Sequence, residues 1–341
     1  MADGKRATAV RIGQYLLALG ALAWLAHEFD LRSAGRALLS LDPLVLAAIG
    51  GLTAAEFASR FGMWYALLRE RWHTSFGTVA RVDLVIKFIN HVIPSKAAGH
   101  SVAPVVLRYY TSLSWTEAAT IAGLNTGLYG FLYGTVAAAG LALIAGALPH
   151  ALLVVLVPSI AVYLVAGTLI LLTGRNLERT TGPIGRLESV IGRLPVVGDR
   201  IAGLLSAAPS FTTESASLFR AVTGRPSAVV PYAIAWSGTI VVVPGLRTIL
   251  LLTAVGGTVA PLWVVPFALV VAYSVTILPI TPGGVGITEV SATLVFVALG
   301  VPEETAVVVI LLDRSLGVYL PALLGWLPAA RVDLAGLLTD E

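Results

Sequence analysis

Apolar residues run along this chain in long unbroken blocks. Those at about 9–27, 44–69, 115–144, 150–173, 226–250 and 304–327 are each near or above spanning length, since a hydrocarbon core of roughly 30 Å takes about 20 helical residues. Lipid offers the backbone no hydrogen-bond partners, so a crossing segment is a helix or part of a closed barrel. The blocks lack the two-residue alternation of barrel strands. The pattern predicts an all-α, polytopic membrane protein with six spans.

Two further apolar stretches are broken. Residues 77–112 are interrupted by Ile93-Pro94-Ser95-Lys96-Ala97-Ala98-Gly99, and residues 258–302 by Thr281-Pro282-Gly283-Gly284-Val285-Gly286. Proline removes a helix donor and glycine weakens a helix interior. The piece from Ile287 to Gly300 is about 14 residues, too short to cross and typical of a re-entrant segment. Both stretches are predicted to be helix–break–helix hairpins that enter and leave on one side.

The two hairpins resemble each other beyond their breaks. Leu113-Ser114-Trp115-Thr116-Glu117 follows the first and Leu299-Gly300-Val301-Pro302-Glu303 the second. Each opens a long span through a plausible helix start. The unit span, broken hairpin, span is thus used twice, at about 44–144 and about 226–327. Three crossings separate the two starts, so the second unit is expected to be inverted. Inverted units with interrupted helices are a transporter design in which the interruptions mark the binding site.

Charge sets the orientation. Lys5, Arg6 and Arg11 precede the first block; Arg69, Arg71 and Arg81 follow the second. The loop of about 174–225 carries Arg175, Arg179, Arg186, Arg193, Arg200, Arg220 and Arg225. These place both termini and that loop in the cytoplasm, in a protein of the cell membrane. The seven-residue spacing of Arg186, Arg193 and Arg200 suits amphipathic helices on the inner leaflet as well as a solvated loop. The N-terminal block resembles a signal peptide, but is read as an uncleaved span.

Composition agrees: 57% of the 341 residues are hydrophobic and 12% charged, about half the charge of a soluble domain. The absence of cysteine excludes disulfides, iron–sulfur clusters and thiol nucleophiles. No basic arm or low-complexity tract points to nucleic acid. Neither a metal-ligand spacing nor a hydrolase motif is present, so no cofactor and no enzymatic activity are expected.

Candidate chemistry lies at the breaks and at charges within spans, which are costly in lipid. Thr281, Pro282, Gly283, Gly284 and Gly286 would leave unpaired amides at the start of a half-helix, a setting that binds anions; a packing kink is the alternative. Asn90, Pro94, Ser95, Lys96 and Gly99 form the matching break, where Lys96 either meets a phosphate or snorkels to the interface. Glu56 and Arg60 stand four apart, as do Asp83 and Lys87, spacings that suit ion pairs on one helix face. Asp313 and Arg314 are adjacent and point about 100° apart. Glu289 is the expected partner of Arg314, and Lys87 or Lys96 that of Asp313. Arg108 and Arg247 either line the same cavity, where arginine suits bidentate phosphate recognition, or reach opposite interfaces. Gly123-x-x-x-Gly127 and Gly130-x-x-x-Gly134 predict close helix packing.

The block Pro282-Gly283-Gly284-Val285-Gly286-Ile287-Thr288-Glu289, then Leu299-Gly300-Val301, then Leu312-Asp313-Arg314 before a last apolar span, resembles the flippase-like integral membrane family that includes the transmembrane domain of lysylphosphatidylglycerol synthase. Asn90-x-x-x-Pro94 with Gly99 resembles its N-terminal counterpart, though Pro94-Ser95-Lys96-Ala97-Ala98-Gly99 replaces a compact Pro-Gly-x-x-Gly. The resemblance implies a lipid flippase or scramblase. Its cargo would be an anionic or phosphate-bearing lipid: an aminoacylated phospholipid or a polyprenyl-phosphate-linked sugar. No aminoacyl-transferase domain follows residue 341 in this sequence, so a separate lipid-modifying enzyme or glycosyltransferase is the expected partner. Two other readings stay open: an embedded enzyme acting on a lipid-linked substrate, and a non-transporting partner of a glycosyltransferase or synthase.

Overall fold

A computed structural model describes residues 41–92, 96–176, 213–278 and 284–330, except the side chains of residues 70, 92 and 96–101. These residues form helices and no strands. In chain order they are α1 (Pro43–Trp72), α2 (Phe76–Val92), α3 (Lys96–Tyr110), α4 (Trp115–Ile144) and α5 (His150–Arg175), then α6 (213–223). After these come α7 (Pro226–Ala254), α8 (Val264–Ile277), α9 (Ile287–Ala298) and α10 (Glu303–Ala329). Five of them, α1, α4, α5, α7 and α10, are long and apolar enough to span a membrane. They coincide with five of the six expected spans; the sixth, at about 9–27, lies outside the described residues.

The helix starts follow local chemistry. Asp42 caps α1 by accepting from the Leu44 amide at 2.7 Å, and Pro43 occupies the first turn. Ser114 and Glu117 close a reciprocal capping box on α4: the Ser114 hydroxyl accepts from the Glu117 amide at 3.2 Å, and the Glu117 carboxylate accepts from the Ser114 amide at 3.0 Å. A cap of this type contributes about 1 kcal/mol. Gly286, at φ +82°, begins α9 in the left-handed region that favours glycine.

The helices α2, α3, α8 and α9 are too short to be independent spans, and their ends show how they lie. Trp72 Nε1 donates to Glu117 Oε1 at 3.2 Å. The Arg108 guanidinium sits 4.7 Å over the Trp115 ring, and the Tyr110 hydroxyl donates to the Pro328 carbonyl at 3.0 Å. The end of α1, both outer ends of the α2–α3 hairpin and the start of α4 therefore gather at one end of the bundle. At the other end, Gly140 near the close of α4 packs on Phe267 and Val271 of α8. Gly257, after α7, packs on Thr305 at the start of α10. The α8–α9 hairpin thus opens at the end opposite α2–α3. Helix α2 stops at Val92 and α8 at Ile277, as the proline and glycine breaks require.

Packing between α4 and α5 uses glycine where backbones touch. A Cβ on Gly167 would collide with the backbone of Gly130 and Phe131, and one on Gly134 with the Leu164 backbone. Gly127 meets Ile170 and Leu171. Gly123 does not share in this seam: a Cβ there would have nothing within 4 Å. Arg186, Arg193 and Arg200 lie outside the described residues. The part of their loop that is described, α6, docks Phe219 against Gly174, and Arg220 donates to the Arg175 carbonyl at 3.0 Å.

Two spans contain π-helical turns, at Gly238–Val242 in α7 and Ser315–Tyr319 in α10. Such turns shift the hydrogen-bond register and recur at functional sites. Nothing in the hydropathy pattern announces them.

Candidate functional site

A cavity of about 340 Å³ lies inside the bundle, lined from α1, α2, α3, α4, α5, α7, α8 and α10. One wall carries charge: Glu56 and Arg60 from α1, Asp83 and Lys87 from α2, Arg247 from α7, and Asp313 and Arg314 from α10. Another part of the lining is aromatic. Tyr133 and Tyr163 stack with ring centroids 4.3 Å apart, and Tyr129 stacks on Tyr133 at 5.8 Å.

The charges form two networks. In the first, Arg247 is 1% exposed and fully engaged. Its Nη1 donates to Glu56 Oε2 at 2.5 Å, and its Nε and Nη2 donate to Asp313 Oδ1 at 2.8 and 2.6 Å. Arg60 Nη2 donates to Glu56 Oε1 at 2.6 Å and to the Gly317 carbonyl at 2.6 Å, inside the π turn of α10. The Tyr273 hydroxyl donates to Asp313 Oδ2 at 2.9 Å. A Cβ on Gly317 would lie 2.7 Å from Arg247 Nη2 and 3.1 Å from both Glu56 carboxylate oxygens, so a side chain here would push the bonded ends of both residues aside. This network joins α1, α7, α8 and α10.

In the second, Arg314 Nε donates to Glu289 Oε1 at 2.8 Å. The Tyr319 hydroxyl donates to the same carboxylate oxygen. The Arg314 guanidinium lies 5.4 Å over Tyr273 and 5.5 Å over Tyr319. The His91 ring is 6.4 Å from Tyr319. The last turn of α2 and the first turn of α9, which flank the two helix breaks, therefore meet across one tyrosine.

Some buried donors remain unused. Among the described residues, Arg60 Nε and Nη1 and Arg314 Nη2 are buried without a hydrogen-bond partner; the two residues are 6% and 3% exposed. An unmet charged donor in a buried site costs more than about 1–3 kcal/mol, so these nitrogens are where an acceptor entering the cavity would gain most. Arg247 was expected to bind ligand, but its donors are spent within the protein.

The other candidates sort clearly. Asn90 lines the cavity. Glu289 holds Arg314, as the sequence suggested. Asp313 takes Arg247 rather than Lys87 or Lys96, because α7 rather than α2 packs beside α10 at that level. Asp83 and Lys87 share a face of α2, but no ion pair closes between them. Arg108 does not line the cavity: it ends α3 and lies on Trp115 at the bundle's edge. Gly284 and Gly286 both have positive φ, at +76° and +82°, and lead into α9. The Gly286 amide, expected to face an anion, instead donates to Glu289 Oε2 at 2.7 Å. Lys96 and Gly99 fall in the first turn of α3; the Lys96 side chain lies outside the described atoms. Pro94, Ser95, Thr281, Pro282 and Gly283 lie outside the described residues.

Sequence reasoning missed the tyrosine wall. A signal existed: Tyr129 and Tyr133 stand four apart on the glycine-rich helix, so they share the face that packs inward.

Residues 11–325 match the family described as lysylphosphatidylglycerol synthase TM region. The chain belongs to this family. The match includes every cavity residue named above. A segment of 80 residues is also 36% identical to the UPF0104 membrane protein PH1989 of Pyrococcus horikoshii. That similarity covers 24% of this chain and 24% of the relative. A multi-pass, helical integral membrane protein of the lysylphosphatidylglycerol synthase TM family is therefore established, in agreement with the resemblance of its C-terminal block.

Proposed function

We propose that this protein carries a phosphate-bearing lipid between the two leaflets of the cell membrane, with the head group in the cavity and the hydrocarbon in the surrounding bilayer. The supporting observation is the set of unpartnered donors on Arg60 and Arg314 in a buried, largely neutralised cavity. Arginine forks suit phosphate geometry. Four cations, Arg60, Lys87, Arg247 and Arg314, face four carboxylates, Glu56, Asp83, Asp313 and Glu289. An anionic head group would therefore be held by local geometry rather than by gross positive charge.

The same reading takes the chain as one unit of two inverted repeats. Reciprocal packing supports it: α10 packs on α2 as α4 packs on α8, and α1 packs along α7. Two hairpins opening at opposite ends and meeting at Tyr319 suit alternating access by rocking of one repeat against the other. On this reading both termini are cytoplasmic, the side that the excess of arginine in the sequence favours. Transport, not turnover, is the activity proposed. An aminoacylated phospholipid and a polyprenyl-phosphate sugar both fit, supplied by a separate lipid-modifying enzyme or glycosyltransferase.

Purified protein in liposomes, with labelled lipids of several phosphate-bearing classes, tests this. Exchange between leaflets should exceed that of empty vesicles, and Arg60→Gln should slow it about tenfold or more per folded molecule, beyond any loss of melting temperature from breaking the Glu56 pair. Exchange equal to empty vesicles across all classes overturns the reading.

A further inference from the structure

The cavity also contains the opposite kind of vacancy, on the side formed by α2. Asp83, Lys87 and Asn90 fall at i, i+4 and i+7, one face of that helix, and all three line the cavity. Asp83 is 4% exposed. Its Oδ1 accepts from Trp64 Nε1 at 3.3 Å, while its Oδ2 is buried with no partner. Asn90 Oδ1 is buried and unpartnered as well. A buried carboxylate oxygen without a donor is costly, and Lys87 does not relieve it. The same hollow thus presents unmet donors on Arg60 and Arg314 and unmet acceptors on Asp83 and Asn90. A bare phosphate satisfies only the first set.

We infer that Asp83 and Asn90 form the acceptor half of a two-part head-group site, which takes N–H or O–H donors carried beside the phosphate. This rests on the transport reading for its anion half. It goes further in assigning to Asp83 and Asn90 the selection of head groups that bear donors. The donor has two sources, an ammonium or a hydroxyl, and each can be removed by methylation at nearly constant phosphate chemistry.

Binding to the purified full chain in detergent is the test, with short-chain lipids in methylated pairs. Phosphatidylethanolamine is set against phosphatidylcholine for the ammonium, and phosphatidylglycerol against its di-O-methyl ether for the hydroxyls. In at least one pair the donor-bearing lipid should bind about tenfold more tightly, the scale of one or two net hydrogen bonds. Asp83→Val should bring that pair to within about twofold and leave the methylated twin unchanged. Where Asp83→Val does not fold, Asp83→Asn decides: it keeps an acceptor without charge, so an ammonium preference collapses and a hydroxyl preference persists, reduced by Asn90→Ala. Equal binding within both pairs by the wild type, or a preference untouched by the Asp83 and Asn90 variants, overturns the inference. If Arg60→Gln still weakens all of these lipids, the anion half stands and only the donor half fails. If no phosphate lipid binds, the transport reading falls with it.

Discussion

Replacing Arg247 with methionine tests whether the buried network holds the spans together. The side chain is 1% exposed and bonds to Glu56 on α1 and Asp313 on α10. Its loss does not strand both carboxylates equally. Glu56 retains Arg60 at 2.6 Å, whereas Asp313 keeps only the Tyr273 hydroxyl at 2.9 Å. Removing one partner of a buried pair costs about 3–5 kcal/mol, because the remaining charge is left uncompensated. At roughly 2–4 °C per kcal/mol for a sizeable domain, the melting temperature should fall by about 10 °C. Nearly all of that cost belongs to Asp313, so Arg247→Met combined with Asp313→Asn should recover more than half of it. Asp313→Asn alone should cost less than Arg247→Met, since Arg247 keeps Glu56 and a carbonyl oxygen at the mutated position. Thermal unfolding in one detergent, run as a double-mutant cycle, measures each term. A loss under about 1 kcal/mol for Arg247→Met, or no recovery in the double variant, would refute the assignment of Arg247 as a structural tie.

Gly317→Ala should disrupt the same network, because its Cβ falls among Arg247 and Glu56; an overpacking loss of about 1–3 kcal/mol would appear in the same melts. Gly167→Ala should drive α4 and α5 apart at a similar cost, while Gly123→Ala, with open space around its Cβ, should be near neutral. Equal effects of these two would contradict the described seam. Ser114→Ala should remove about 1 kcal/mol by opening the α4 capping box, read as faster amide exchange in the first turn of that helix.

Hydropathy revealed the spans because lipid imposes length and apolarity on any crossing helix, and the breaks because proline and glycine act locally. The Glu56–Arg60 pair was equally legible, being set by helix periodicity. What could not be read was rotation. Arg247 and Asp313 are far apart in sequence, and no local pattern states that the two faces meet. Consequently Arg247 reads as a ligand residue, and Asp313 as the partner of Lys87 or Lys96. Arg108 keeps two readings for a related reason: an arginine near the end of a short apolar helix serves as well at the interface as in the interior.

That lost rotational information also explains why the unused atoms, rather than the charges themselves, mark the site. Within a bundle that buries seven charged side chains among its described residues, most charge is needed simply to neutralise other charge, as Arg247 does for Asp313. Pairing consumes donors and acceptors in step, so a structural network tends toward completion. Arg60 and Arg314 depart from that tendency, the first with two idle nitrogens and the second with one, and Asp83 departs from it in the opposite sense. Were these residues purely structural, arginine would be a poor choice for Arg60, since one Glu56 oxygen and one carbonyl oxygen are satisfied by the single Nη2 atom. The remaining guanidinium is surplus to the fold, and it lines the cavity where the two broken hairpins converge.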